Sequence, residues 1–150
     1  TVSWLIIECY IIYNYSILGM YINEFIIIII KMTTPTTYLK RAGIDIFLKG
    51  HNSYKLESAP FMALTVETWQ QAEFTMVSMC HYGEQNGDLM KDPDVLFRVK
   101  GDEIVYREIQ MDYTGYYSEN HAEIKDFVEN TWVDNLINQG QKLTEKEIEN

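Results

Sequence analysis

Asp94–Met111, DVLFRVKGDEIVYREIQM, is the stretch on which the fold turns. Val95, Phe97 and Val99 fall on one side of an extended chain, with Arg98 and Lys100 on the other. That period of two marks a half-buried strand. Gly101-Asp102 forms a two-residue turn, and Glu103–Met111 returns as a second strand. This is an antiparallel hairpin, so the sheet around it is expected to be antiparallel as well.

Working upstream, Phe74–Tyr82 alternates in the same way. Met76, Ser78, Cys80 and Tyr82 share one face, and Val77, Met79 and His81 the other. Phe61–Trp69 is a further strand through Leu64 and Val66, and Tyr54–Glu57 a short, weak one. A short N-terminal helix is predicted near Tyr38, Leu39 and Ala42, with Thr36 or Thr37 as its N-cap and Gly43 as its stop. An extended stretch around Ile44, Ile46 and Leu48 follows it.

Downstream, Tyr113–Tyr117 continues the sheet past a kink at Gly115. From about Glu119 to Asn138, Ile124, Phe127, Val128, Trp132, Leu136 and Ile137 recur at helical spacing, which predicts a long amphipathic helix ending at Gly140. Trp132 is expected to lie against the sheet. The expected class is α+β: an antiparallel sheet of four to five strands, with a short N-terminal helix and a long C-terminal helix packed on one face. Residues 32–140 form the domain, and residues 141–150 read as a flexible acidic tail.

Residues 1–31 differ sharply in composition, with eleven Ile and four Tyr. The stretch is long enough to span a bilayer, but Glu8, Asn14, Asn23 and Glu24 interrupt it. It lacks the basic start and small-residue cleavage site of a signal peptide. Ile, Tyr and Asn are what AT-rich DNA encodes, so the segment reads first as upstream read-through, with Met32 as the start. A membrane anchor is the second reading, and a membrane partner follows only if residues 1–31 are translated.

Twenty-two acidic residues against twelve Lys and Arg give a net charge of −10. Nucleic-acid binders carry a basic stripe to neutralise phosphates, and here only Lys40-Arg41 are adjacent, so direct nucleic-acid binding is disfavoured. An acidic surface suits a basic protein partner. The two cysteines, Cys9 and Cys80, form no framework, and Cys80 reads as a buried apolar residue.

The densest functional-looking stretch is His81–Asp94, HYGEQNGDLMKDPD, read as a structured loop between two strands. Asn86-Gly87 and Asp92-Pro93 are turn signals, with Gly87 expected at positive φ. The candidate binding residues are His81, Tyr82, Glu84, Gln85, Asn86, Gly87, Asp88, Asp92 and Pro93.

The acidic residues here match neither a calcium loop nor a zinc pair, so no metal and no cofactor are assigned. Pro93-Asp94 followed by Arg98-Val99-Lys100 approaches a restriction-nuclease pattern, but Arg98 stands where a carboxylate is needed to hold the ion. Ser58, Ser78 and Ser118 lack a nucleophile turn, and the glycines form no phosphate loop. His51 and His121 read as solvated, and Tyr113, Tyr116 and Tyr117 as sheet-packing aromatics. No catalytic residue is assigned.

His81-Tyr82, Glu84–Met90 and Asp92-Pro93, with Tyr113–Tyr117, resemble the signature of a family of small proteins from bacteria, their phages and plasmids, catalogued as a domain of unknown function. The resemblance covers residues 37–118, and Gly83 stands where an aromatic or polar residue is expected. It implies a mobile-element setting in the bacterial cytoplasm and brings no reaction or ligand with it. The expected function is a non-catalytic protein-binding module, with an inhibitor of a host defence nuclease as one form. The alternative is a metal-dependent enzyme or accessory factor using the acidic loop 81–94.

Overall fold

The hairpin expected at Asp94–Met111 is the middle of a seven-stranded sheet. The computed structural model describes residues 33–149. Residues 1–31, with the read-through and membrane-anchor readings that fall on them, lie outside the described residues. Along the chain come α1 (Pro35–Arg41), β1 (Asn52–Glu57), β2 (Leu64–Gln71), β3 (Phe74–Gln85), β4 (Asp88–Lys100), β5 (Glu103–Met111) and β6 (Tyr116–Ser118). Then follow α2 (His121–Phe127), a π-helical turn (Val128–Trp132), α3 (Val133–Gln139) and β7 (Lys142–Ile148). The strands lie in the order β6-β5-β4-β3-β2-β1-β7, every neighbour antiparallel.

The α+β class holds, but the sheet has seven strands rather than four or five. Two strands escape the sequence reading. Tyr113–Tyr117 does not run on past Gly115; the chain reverses there, and Tyr116 pairs back onto Met111. The expected flexible tail carries β7, which pairs with β1 from Asn52↔Ile148 to Glu57↔Lys142. Lys142, Glu145 and Lys146 give β7 the charged character of an edge strand, and that charge hides it from a hydrophobicity reading.

One face of the sheet supplies the core. Tyr54, Leu56, Leu64, Val66, Val77, Met79, Val95, Phe97, Tyr106 and Ile109 are buried together with Ile124, Val128, Trp132, Val133 and Leu136 of the helical segment. Each such Val or Leu, fully buried, stabilises the fold by roughly 1.5–3 kcal/mol before chain entropy is charged against it. Trp132 is buried as expected, its ring stacked on Phe127 and met by the edge of His81.

The π turn shifts the helical phase. Val133 turns inward, while Ile137, expected in the buried stripe, is left 43% exposed. An extra residue per turn rotates everything after it by about 100° relative to an unbroken 3.6-residue helix. At the other end, α1 is capped by Thr34 rather than Thr36 or Thr37. Thr34 Oγ1 accepts from the Thr37 N–H, and Pro35 takes the first helical position, where its missing N–H costs nothing. Ile44 and Ile46 are buried without forming a strand.

Three β-bulges break the ladder, and a side chain serves the freed backbone at each. In β7 the register slips at Thr144, whose hydroxyl donates to the Lys55 carbonyl at 3.2 Å. In β5 it slips at Arg107, and the Tyr106 N–H donates to His121 Nδ1 at 3.0 Å. His121 is exposed, as expected, and serves in addition as a backbone acceptor. In β4 it slips at Asp92-Pro93, and the Lys91 N–H donates to Asp112 Oδ2 at 2.8 Å. Backbone groups left unpaired in a sheet are expensive, so these contacts hold the bulges in place. Among the described residues no helix is long and apolar enough to cross a membrane.

Candidate functional site

The segment read as a loop, His81–Asp94, is mostly strand. β3 and β4 are the longest strands, and both outrun their neighbours. The last rung shared with β2 is Leu64↔His81. On the other side, Asp112 still bonds Lys91, its N–H donating to the Lys91 carbonyl at 2.8 Å. Beyond those points only three rungs remain: Gly83↔Met90, Glu84↔Leu89 and Gln85↔Asp88. The result is a two-stranded arm with no strand neighbour on either side among the described residues.

Asn86 and Gly87 close the arm at φ 55° and 85°. Positive φ at both central residues is the geometry whose twist suits a two-residue hairpin, and Asn-Gly is the pair that adopts it at least cost. A Cβ on Gly87 would meet nothing within 4 Å, so the requirement there is purely conformational. At the base of the arm, a Cβ on Gly83 would run into the Tyr113 hydroxyl and come within 3.4 Å of Met62 Sδ. That contact explains the glycine where a larger residue was expected: Tyr113 lies across the arm, its hydroxyl 3.5 Å from the Glu84 carbonyl.

The candidate residues divide at Gly83. Glu84, Gln85, Asn86, Gly87 and Asp88 are exposed on the arm, together with Leu89, which is 68% exposed and was not singled out in the sequence. Tyr82 and Asp92 are half-buried. His81 and Pro93 are buried. Pro93 occupies the β4 bulge, the position within a sheet where a residue without an N–H is tolerated. His81 Nδ1–H donates to the Ala63 carbonyl at 3.0 Å, and burial holds the ring's pKa below its ordinary value.

Behind the arm, on the sheet face away from the helices, lies a small polar network. Lys91 Nζ donates to Asp94 Oδ2 at 2.6 Å, and Ser78 Oγ to Asp94 Oδ1 at 3.2 Å. Burial, reinforced by the Asp94 charge, pushes the Cys80 thiol up to about 12. Burial likewise raises the Tyr82 phenol to about 12. A thiol so far from its thiolate is a poor nucleophile. Asp94 is thus occupied by Lys91, and Lys100 pairs with Glu73 at 2.9 Å. Among the described residues no three His, Cys, Asp or Glu side chains are placed to hold a metal ion.

The signal for the arm was in the sequence. Asn86-Gly87 is the strongest short-range hairpin mark, and no other break separates it from either strand. The Asp92-Pro93 pair drew attention as a second turn, whereas its physical effect is a bulge. Residues 37–142 match the model of a family described as Domain of unknown function (DUF6908). No curated protein and no solved structure matches the chain.

Proposed function

We propose that this chain, which belongs to the DUF6908 family of domains of unknown function, is a non-catalytic protein-binding module that presents the β3–β4 arm to its partner. The arm is the observation that carries the reading. Three rungs standing clear of the sheet bury little apolar surface, so folding alone gives them little reason to persist. Their outward N–H and C=O groups are open to a partner strand or loop. Glu84 and Asp88 add negative charge, and Leu89, directly opposite Glu84, adds an exposed apolar contact.

The fitting partner is a protein with a basic surface, because the chain carries a net charge of −10. An inhibitor that occupies the nucleic-acid groove of a defence nuclease is the form we favour, in a phage or plasmid setting within the bacterial cytoplasm. That setting rests on the resemblance at His81–Pro93 and Tyr113–Tyr117. The enzyme alternative needs the acidic residues of 81–94 to converge on one point. Instead His81 faces Trp132, Asp94 is tied to Lys91, and Glu84 and Asp88 stand on the arm.

The test is the triple change Glu84→Gln, Asp88→Asn, Leu89→Ser. As surface substitutions these should alter stability by about 0.5 kcal/mol or less each. Partners captured by the unaltered chain should be lost. Capture of the same partners by the variant, with the fold intact, would refute the arm as recognition surface.

A further inference from the structure

At the far end of β3 and β4 from the arm lies a cleft of about 700 Å³, in the range of small-ligand sites. Phe74, Met76, Leu96 and Val105 form apolar walls, and Arg98 and Arg107 bring two guanidinium groups to it. In a chain this acidic, a guanidinium should readily find a carboxylate. Yet neither arginine has one within 4.0 Å among the described residues. Among the described residues two carboxylates also line the cleft, Glu108 and Glu119, and both meet the neutral Tyr117 hydroxyl rather than an arginine. The Tyr117 hydroxyl donates to Glu119 Oε1 at 2.7 Å and lies 3.4 Å from Glu108 Oε2.

Arg98 is also held in place. Its guanidinium carbon lies 4.3 Å from the centre of the Phe74 ring, and its Nε is buried without a hydrogen-bond partner among the described residues. Stacking on an aromatic ring fixes the plane of the guanidinium and leaves its edge to act as a fork for two oxygens. A buried, unpaired donor on a charged group is a standing cost that an incoming acceptor would relieve. His121 adds a further donor. Its Nδ1 accepts from the Tyr106 N–H, so the neutral ring carries its proton on Nε2.

We propose that this cleft binds a small organic oxyanion, a carboxylate or phosphate carried on an apolar body. The oxyanion meets the Arg98 fork and Arg107, and the body lies on Met76, Leu96 and Val105. The site is separate from the arm and does not depend on it.

Titration of the full chain with sodium benzoate, followed by amide chemical shifts, tests the assignment. Benzamide serves as the neutral isostere, and sodium chloride matches the ionic strength. Benzoate should saturate with shifts confined to Phe74–Met76, Leu96–Arg98 and Val105–Glu108, while benzamide should not. Arg98→Gln should weaken binding by about tenfold or more, the equivalent of roughly 1.4 kcal/mol. Arg107→Gln, at an exposed position, should weaken it as well and keeps the test open if Arg98→Gln fails to fold. A parallel titration with inorganic phosphate separates a bare oxyanion from one on an apolar body. Phosphate binding as tightly as benzoate would overturn the apolar-body half of the proposal. No saturable effect beyond chloride for either probe, or unchanged binding in both arginine variants, would overturn it entirely.

Discussion

Tyr106→Phe removes one oxygen from the deepest polar contact of the core. The Tyr106 hydroxyl donates to Glu129 Oε1 at 2.8 Å, with Tyr106 2% exposed and Glu129 8%. Burial, with the Glu129 charge and this hydrogen bond behind it, raises the phenol's pKa, so the tyrosine remains a donor at any working pH. The phenylalanine ring keeps the packing against Phe97 and His121, which isolates the hydroxyl. A hydrogen bond to a charged group contributes roughly 1.5–3 kcal/mol, and the carboxylate left behind in the π turn loses its buried partner. At about 4 °C per kcal/mol for a domain of this size, the melting temperature should fall by roughly 6–12 °C. Tyr54→Phe is the matched control: its hydroxyl lies 3.5 Å from the Asp45 carbonyl, too long to contribute much. Thermal unfolding of both variants, with Glu129→Gln completing a double-mutant cycle, measures the coupling. A fall below about 2 °C for Tyr106→Phe, or no difference from Tyr54→Phe, would refute the energetic importance of the pair.

Trp132→Ala empties the space between Phe127 and His81 and should cost roughly 3–5 kcal/mol in chemical denaturation. Gly87→Val forces a β-branched residue to φ 85° and should unravel the arm. Hydrogen exchange should then rise at Glu84–Leu89 while the amides of β4 from Val95 to Val99 stay protected. Cys80, with its thiol at about 12, should resist alkylation in the native state and react only on unfolding. Burial lowers the folded pKa of His81, so the unfolded chain binds the extra proton. Its contribution to stability is complete above the unfolded pKa of about 6.5 and is lost as pH falls from there through the lower folded value. Denaturation midpoints should drop as pH falls below about 6.5, and His81→Gln should flatten that part of the profile.

The parts of the fold that sequence makes legible are those where one face is apolar and the other is not. Glu103–Met111 has the expected bounds, and Val95, Phe97 and Val99 point inward as their alternation requires. Legibility fails where a local signal is outvoted by pairing. β7 carries Lys142, Glu145, Lys146 and Glu147 within seven residues, and its extended form is held by pairing with β1 from Asn52↔Ile148 to Glu57↔Lys142. The helical stripe is right through Trp132 and again at Leu136, while the π turn changes the phase enough to exchange Ile137 for Val133. Glu129, placed off the apolar stripe by spacing, is buried because Tyr106 reaches it from β5. Nothing in the sequence near Glu129 carries that information.

The stretch His81–Asp94 combines two kinds of residue that sequence alone merges into one. His81 and Pro93 act below the surface, where the ring packs against Trp132 and the proline sits in the bulge. On the opposite face Asp94 of β4 accepts from Ser78 of β3 and from Lys91. These residues fix where β3 and β4 leave the sheet and at what angle, because a bulge bends and twists its strand. Glu84–Leu89 then extend from a base that Tyr113 braces across Gly83. An arm held at its root by buried contacts needs little ordering when a partner arrives, which lowers the entropic cost of association. Changes at His81 or Pro93 should therefore weaken partner binding through lost stability or arm position, whereas changes at Glu84, Asp88 or Leu89 should weaken it with the fold intact. Stability and binding measured together on the two groups of variants separate a braced recognition arm from a hairpin that merely closes the sheet.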